Sequence, residues 1–77
     1  MPNRVELAVA AIWSEILGVE NPGPSASFYE YGGTSLLAVL IAMRIQEELG
    51  ATIDVADILR DHELHDLIRT VKTRLGS

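Results

Sequence analysis

The sequence predicts an all-α fold, a bundle of three long helices and one short helix with a long loop between the first and second helices. Three periodic segments each end in Leu followed by Gly, at Leu17-Gly18, Leu49-Gly50 and Leu75-Gly76, as helices do when Gly takes the left-handed position after the last turn. Each segment also carries apolar residues at helical spacing. A chain of 77 residues without cysteine lies near the size at which one core barely offsets the entropy of ordering the chain, and no disulfide or thiolate-bound metal can supplement that core. Helices with local contacts are the economical design at this length.

The first helix is predicted to start at Asn3, whose side chain can accept from exposed backbone N–H groups while Glu6, three residues later, reaches back. Val5, Val9, Ile12 and Ile16 form its stripe, and Trp13 and Leu17 lie beside that stripe as core or core-edge residues. The segment from Val19 to Thr34 has no period and carries Pro22, Gly23, Pro24, Ser25 and Ser27. Loops of this length are usually functional or disordered. Phe28, Tyr29 and Tyr31 predict that its second half is ordered, fastened to the bundle by aromatic burial.

After Gly50 a short helix of at most two turns is expected, capped by Asp54 and held by Val55, Ile58 and Leu59. The last helix has Leu64, Leu67, Ile68, Val71 and Leu75 on one face. Glu63 and Asp66 stand in its first turns and Arg69, Lys72 and Arg74 towards its end, the order a helix dipole favours; Asp61 is its expected cap. No internal repeat, low-complexity tract or linker divides the chain, so residues 1–77 read as a single domain.

Charge and hydropathy exclude several classes. With 6 Lys and Arg against 11 Asp and Glu, the formal charge of −5 has the wrong sign for neutralising phosphates, which opposes nucleic acid as a partner and a helix-turn-helix DNA reader as a reading. The apolar run Leu7 to Trp13 is flanked by Glu6 and Glu15, so no targeting segment is read there. The longest apolar runs fall far short of a bilayer span. A soluble protein, without a membrane partner and in a reducing cytoplasmic setting, is expected.

The informative stretch is Phe28-Tyr29-Glu30-Tyr31-Gly32-Gly33-Thr34-Ser35-Leu36-Leu37, in which aromatics and a double glycine give way abruptly to helical period. Ser35 stands where the loop becomes a helix. That position suits a residue destined to become a phosphodiester, because first-turn N–H groups and the positive end of the helix dipole favour an anion there. Gly32 and Gly33 let the backbone turn sharply and let a modifying enzyme approach the hydroxyl. From position alone, the plainer reading is that Ser35 or Thr34 merely caps the helix, which is what most serines at such positions do.

The second helix carries two apolar stripes. Ala38, Ile41, Ala42, Ile45 and Leu49 fall on one side, and Leu36, Val39, Leu40 and Met43 on roughly the opposite side. A small bundle can bury only one of them against its other long helices, so the stripe that starts after Ser35 is expected to be at least partly exposed, as docking surfaces are. Met43 suits a face that accepts several partners in turn, because a thioether side chain repacks easily. Burial all round, or dimerisation through the stripe, is the competing reading.

Ala11-Ile12-Trp13-Ser14-Glu15-Ile16-Leu17-Gly18-Val19, then Ser27 through Leu37, then Ile58-Leu59-Arg60-Asp61-His62-Glu63-Leu64, together resemble the peptidyl carrier, or thiolation, domains of nonribosomal peptide synthesis over nearly the whole chain. The resemblance implies an acyl-carrier-like bundle in which Ser35 receives 4′-phosphopantetheine from coenzyme A through a separate phosphopantetheinyl transferase. The arm would then hold an aminoacyl or peptidyl group as a thioester. Gly32, Gly33 and Thr34 flank the attachment point, and Leu36, Val39, Leu40 and Met43 match positions that meet partner enzymes. Those partners would be an adenylation enzyme or other acyl-activating ligase and condensation or tailoring enzymes, with the carrier itself non-catalytic and monomeric.

The chain departs from the family at Tyr29 and Tyr31, where Phe and Leu are common, at Thr34, where many relatives have His or Asp, and at His62, where a proline often begins the last helix. Fatty-acid carriers usually place Asp before the modified Ser and make the next helix strongly acidic; Thr34 and an apolar stripe favour the peptidyl branch. An acyl carrier of polyketide or fatty-acid type and a non-covalent helical adaptor remain the alternatives. Met1 and the compact length fit a free-standing carrier, and a domain excised from a larger synthetase with an added start would read the same.

Among the other residues, His62 and His65 lie amid Asp61, Glu63 and Asp66 at a spacing a metal could use. Without a third strong ligand they read as solvent-facing histidines, and no metal is predicted. The acids Glu47, Glu48, Asp54, Asp57, Asp61, Glu63 and Asp66 read as a solvated face that could also steer a basic partner. No nucleophile with a base and an orienting group can be assembled.

Overall fold

The computed structural model describes residues 3–76. Its helices are α1 (Arg4–Leu17), α2 (Ser35–Leu49), α3 (Val55–Arg60) and α4 (Leu64–Arg74), with a single 3-10 turn at Phe28–Tyr31. The expected three long helices and one short helix are all present among the described residues. Helix α1 packs on α2 and α4, and α3 bridges α2 and α4.

The helix ends follow local chemistry. The Asn3 side chain accepts from Glu6 N at 2.9 Å, and Gly18 and Gly50 close α1 and α2 at φ 71° and 75°. Those values belong to the left-handed region that glycine enters without steric cost. Glu6 does not reach back to Asn3 as expected; its carboxylate pairs with Lys72 on α4, exchanging a local cap for a link between the chain's two ends. At α3 the return bond does form, from Asp54 N to Asp57 Oδ2 at 2.9 Å.

One core unites the helices. Val9, Ile12 and Trp13 from α1 meet Ala38, Ile41, Ala42 and Ile45 from α2, Ile58 from α3 and Leu64, Leu67 and Val71 from α4, with Phe28, Ala51 and Ile53 supplied by the connections. Burying a side chain of Ile or Phe size contributes about 1.5–3 kcal/mol, so these residues hold the bundle.

The second half of the α1–α2 loop is fixed by a pairing with no local sequence signal. Phe28 N donates to His62 O at 2.7 Å, Leu64 N to Ala26 O at 3.0 Å and His65 N to Pro24 O at 2.9 Å. This antiparallel contact keeps residues 62–63 extended and moves the start of α4. Asp61 is therefore not the cap of α4. It closes α3, with Glu63 preceding α4, and its carboxylate accepts from Thr70 Oγ1 at 2.7 Å and from Arg60.

Two further expectations need correction. Aromatic burial fastens the loop through Phe28 alone; Tyr29 and Tyr31 are 53% and 43% exposed. Tyr29 instead donates its hydroxyl to Leu59 O at 2.9 Å, and Tyr31 sets its ring edge-on to Trp13 with centroids 5.9 Å apart. Nor do the acids form a uniformly solvated face, because Asp57 is 4% exposed. Arg74 grips it with two hydrogen bonds of 3.0 and 3.1 Å and Arg60 approaches to 3.2 Å. The hydrogen bonds from Arg74 hold the Asp57 carboxyl below the ordinary carboxylate range, helped by the Asp54 N–H, which favours the charged form against the cost of burial.

The histidines are half-buried rather than solvent-facing. His62 Nδ1 lies 3.2 Å from Ser27 Oγ, and the ring leans on Tyr29 with centroids 5.6 Å apart. Among the described residues, no helix is long and apolar enough to cross a membrane.

Candidate functional site

The loop delivers Ser35 to the start of α2 through a short chain of constraints. The 3-10 turn ends at Gly32, whose φ of 76° is left-handed. Gly33 is required for a different reason, since a Cβ there would lie 2.3 Å from Phe28 Cδ2 and 2.4 Å from Cε2. Only a hydrogen fits between this backbone and the ring beneath it. Phe28 is fully buried, so Gly33 rests on the core. Gly32 faces open space on the other side, with nothing within 4 Å of an added Cβ.

Thr34 then caps the helix. Its backbone is extended at φ −127° and ψ 169°, a conformation a β-branched residue adopts readily. Its Oγ1 accepts from Leu37 N at 3.3 Å, and its carbonyl accepts from Ala38 N at 2.9 Å. Ser35 is the first helical residue and is exposed. Among the described residues its Oγ has no hydrogen-bond partner, and the N–H groups of Ser35 and Leu36 are also unpaired. The choice between the two hydroxyls as cap therefore falls on Thr34, and Ser35 is left unengaged.

Helix α2 divides its faces as expected. Ala38, Ile41, Ala42 and Ile45 are buried, while Leu36, Val39, Leu40 and Met43 are between 37% and 68% exposed. No charged residue occurs from Tyr31 to Met43. The first cation after that stretch, Arg44, is committed to Glu15 at 2.9 Å and Glu48 at 2.7 Å. A free hydroxyl thus stands at the head of an uncharged apolar row, with no side chain hydrogen-bonded to it among the described residues.

Other features lie apart from this face. A shallow cleft of about 320 Å³ is lined by Glu6, Pro24, His65, Ile68, Arg69 and Lys72, none of them in the segment 28–43. Glu63, His65 and Asp66 each offer a ligand atom, all within 4.8 Å. Glu63 Oε1 lies 2.9 Å from His65 Nε2, and Asp66 Oδ1 lies 3.4 Å from His65 Nδ1 and 3.4 Å from Arg69 Nη1. The residues that sequence reasoning missed are those of the loop pairing and the Asp57–Arg74 contact; neither leaves a periodic trace.

The geometry has close counterparts. Bacitracin synthase 3 of Bacillus licheniformis is 41% identical over 78 residues, covering 97% of this chain and 1% of that protein. The chain therefore spans a very small part of this curated relative. BlmI, described as a type-II acyl-carrier-protein from Streptomyces verticillus involved in bleomycin biosynthesis, superposes with a TM-score of 0.83 at 31% identity, covering 92% of this chain and 86% of that one. A peptidyl carrier protein solved with the phosphopantetheine transferase Sfp and coenzyme A superposes with a TM-score of 0.85 at 27% identity, covering 95% of both chains. The family model for the phosphopantetheine attachment site matches residues 8–71, which span α2 and the exposed hydroxyl at its head, and the chain accordingly belongs to the phosphopantetheine-attachment family, in its peptidyl carrier branch.

Proposed function

We propose that Ser35 is the point at which 4′-phosphopantetheine is attached, and that residues 1–77 act as one non-catalytic carrier domain. The observation that carries this reading is the exposed Ser35 hydroxyl, free of capping duty because Thr34 holds Leu37 N. Ser35 Oγ forms a bond to the β-phosphorus of coenzyme A. The phosphoanhydride P–O bond breaks, adenosine 3′,5′-bisphosphate leaves with the electron pair, and a base on the transferase takes the hydroxyl proton. The residues present fit the product, since the unpaired N–H groups of Ser35 and Leu36 and the adjoining helix dipole favour an anion at this oxygen. When bound, the arm supplies a thiol, absent from this cysteine-free chain, on which an aminoacyl or peptidyl group is held as a thioester.

Gly32 and Gly33 keep the approach to Ser35 low, and Leu36, Val39, Leu40 and Met43 form the face that meets partner enzymes in turn. A small apolar patch gives the weak, reversible contacts that rotation among partners requires. Besides the transferase, those partners are an adenylation enzyme or other acyl-activating ligase and condensation or tailoring enzymes. The chain acts as a monomer in the cytoplasm, without nucleic acid. The similarity to BlmI, described as a type-II acyl-carrier-protein, supports a second reading, an acyl carrier of polyketide or fatty-acid type.

The test is intact-mass measurement after incubation with coenzyme A, magnesium and a broad-specificity phosphopantetheinyl transferase. One added arm is expected, and none in Ser35→Ala. An unchanged mass beside a competent control carrier would favour a non-covalent adaptor. Offering the modified protein to amino-acid and fatty-acid activating enzymes separates the two carrier readings.

A further inference from the structure

Two adjacent hydroxyl residues meet the start of α2, and the structure shows them doing different work. Thr34 is the cap, with Oγ1 3.3 Å from Leu37 N and its carbonyl 2.9 Å from Ala38 N. Ser35 is one residue inside the helix with its oxygen unengaged. A serine can also cap, and a helix that began one residue later would turn Ser35 Oγ back towards the backbone as the acceptor for Ala38 N. In that register the hydroxyl is bonded to its own helix and the N–H groups of the first turn are displaced by one position. That register would break both bonds that Thr34 makes, from Leu37 N to its Oγ1 and from Ala38 N to its carbonyl, and these oppose it.

We propose that Thr34 is a positioning residue for modification: by taking the cap it fixes the register of α2 and keeps Ser35 Oγ available to the transferase. This rests on Ser35 being the acceptor and adds to it a role for a residue that need touch neither coenzyme A nor the enzyme. The role acts through the fraction of carrier in the competent register, so its loss raises the apparent KM for the carrier and leaves kcat alone when the registers exchange quickly. A cap of this kind is worth about a fivefold change in population, which is ~1 kcal/mol at about 1.4 kcal/mol per tenfold.

The experiment measures steady-state transfer from coenzyme A to Thr34→Ala, Thr34→Val and Thr34→Ser, with Asn3→Ala as the control. Asn3 caps α1 by the same kind of bond, to Glu6 N at 2.9 Å, and lies outside the modification site. Expected are a KM raised, by no more than about threefold because the Thr34-capped register is the populated one in wild type, for Thr34→Ala and Thr34→Val at unchanged kcat, near wild-type values for Thr34→Ser, which keeps a hydroxyl, and no change for Asn3→Ala. Thermal unfolding followed by Trp13 fluorescence verifies that each variant is folded. A folded Thr34→Val with wild-type KM overturns the proposal, as does an Asn3→Ala variant impaired as much as Thr34→Ala, or a loss confined to kcat. Retention of the mass gain in Ser35→Ala would sink the assignment of the acceptor instead, so the two failures are distinguishable.

Discussion

Gly33→Ala is the sharpest probe of how the core supports the proposed modification site. The added Cβ would lie 2.3, 2.4 and 2.6 Å from Cδ2, Cε2 and Cγ of Phe28, against about 3.5–4.0 Å for relaxed carbon contacts. Ring or backbone must therefore give way by more than an ångström. Phe28 has little freedom to do so: its ring is fully buried and its N–H is bonded to His62 O at 2.7 Å. Overpacking of this kind costs about 1–3 kcal/mol. In a domain this small, each 1 kcal/mol lowers Tm by about 4–8 °C, so a fall of about 8–16 °C is expected for a mid-range cost of about 2 kcal/mol. The assay is thermal unfolding monitored through Trp13, run beside Phe28→Ala and the double variant. Phe28→Ala alone should cost about 3–5 kcal/mol. The double variant should fall short of the sum by more than about 1 kcal/mol, because the new methyl then occupies vacated space. An unchanged Tm in Gly33→Ala, or strict additivity in the double variant, would refute the claim that the glycine rests on the ring.

Asp57→Asn should cost about 1–2 kcal/mol near neutral pH, the lower part of the range for charged hydrogen bonds because Arg74 is partly solvated. The Asp57 carboxyl is held low by Arg74, so its contribution is complete above the ordinary carboxylate pKa and is lost as pH falls through the lowered folded value. Wild type should lose more stability than Asp57→Asn between pH 6 and pH 2 in urea titrations, and parallel losses would count against the ion pair. Leu40→Glu and Met43→Glu should change stability by no more than about 0.5 kcal/mol, as exposed positions do, while slowing transfer to Ser35 by the transferase. A large drop in Tm for either would mean that this row is packed inside the protein.

Much of the architecture was legible because it is written in local signals. Leu17-Gly18 and Leu49-Gly50 mark helix stops through the conformational freedom of glycine, and Ile41 and Ile45 against Leu40 and Met43 mark two faces through helical spacing alone. The contrast on α2 was readable since three long helices cannot enclose a fourth apolar surface. What escaped was set by partners distant in sequence. Asp61 looked like a cap by its place before Leu64, but the contact of residues 26–28 with 62–64 imposes an extended connector that no propensity reports. In the sequence Asp57 is one acid among several; its partner Arg74 lies 17 residues away and meets it only in the folded bundle. Tyr29 and Tyr31 shared the aromatic character of Phe28; which ring would enter the core depended on the 3-10 turn that presents them.

The same contrast explains how a domain this small can be both firm and sociable. The core reaches the start of α2 from below through Phe28 and Gly33, and α3 and the α3–α4 connector hold the loop from the side through Leu59 and His62. Positional precision at Ser35 therefore requires none of the residues on the outer row of α2. Those residues are exposed and can vary at little cost to folding, whereas Phe28 and Gly33 cannot vary independently of each other. On the proposed reading, partner contact and structural support thus reside in separate side chains of one short segment. The Glu substitutions on the row and Gly33→Ala beneath it should accordingly act through different observables, the former on transfer at constant Tm and the latter on Tm first.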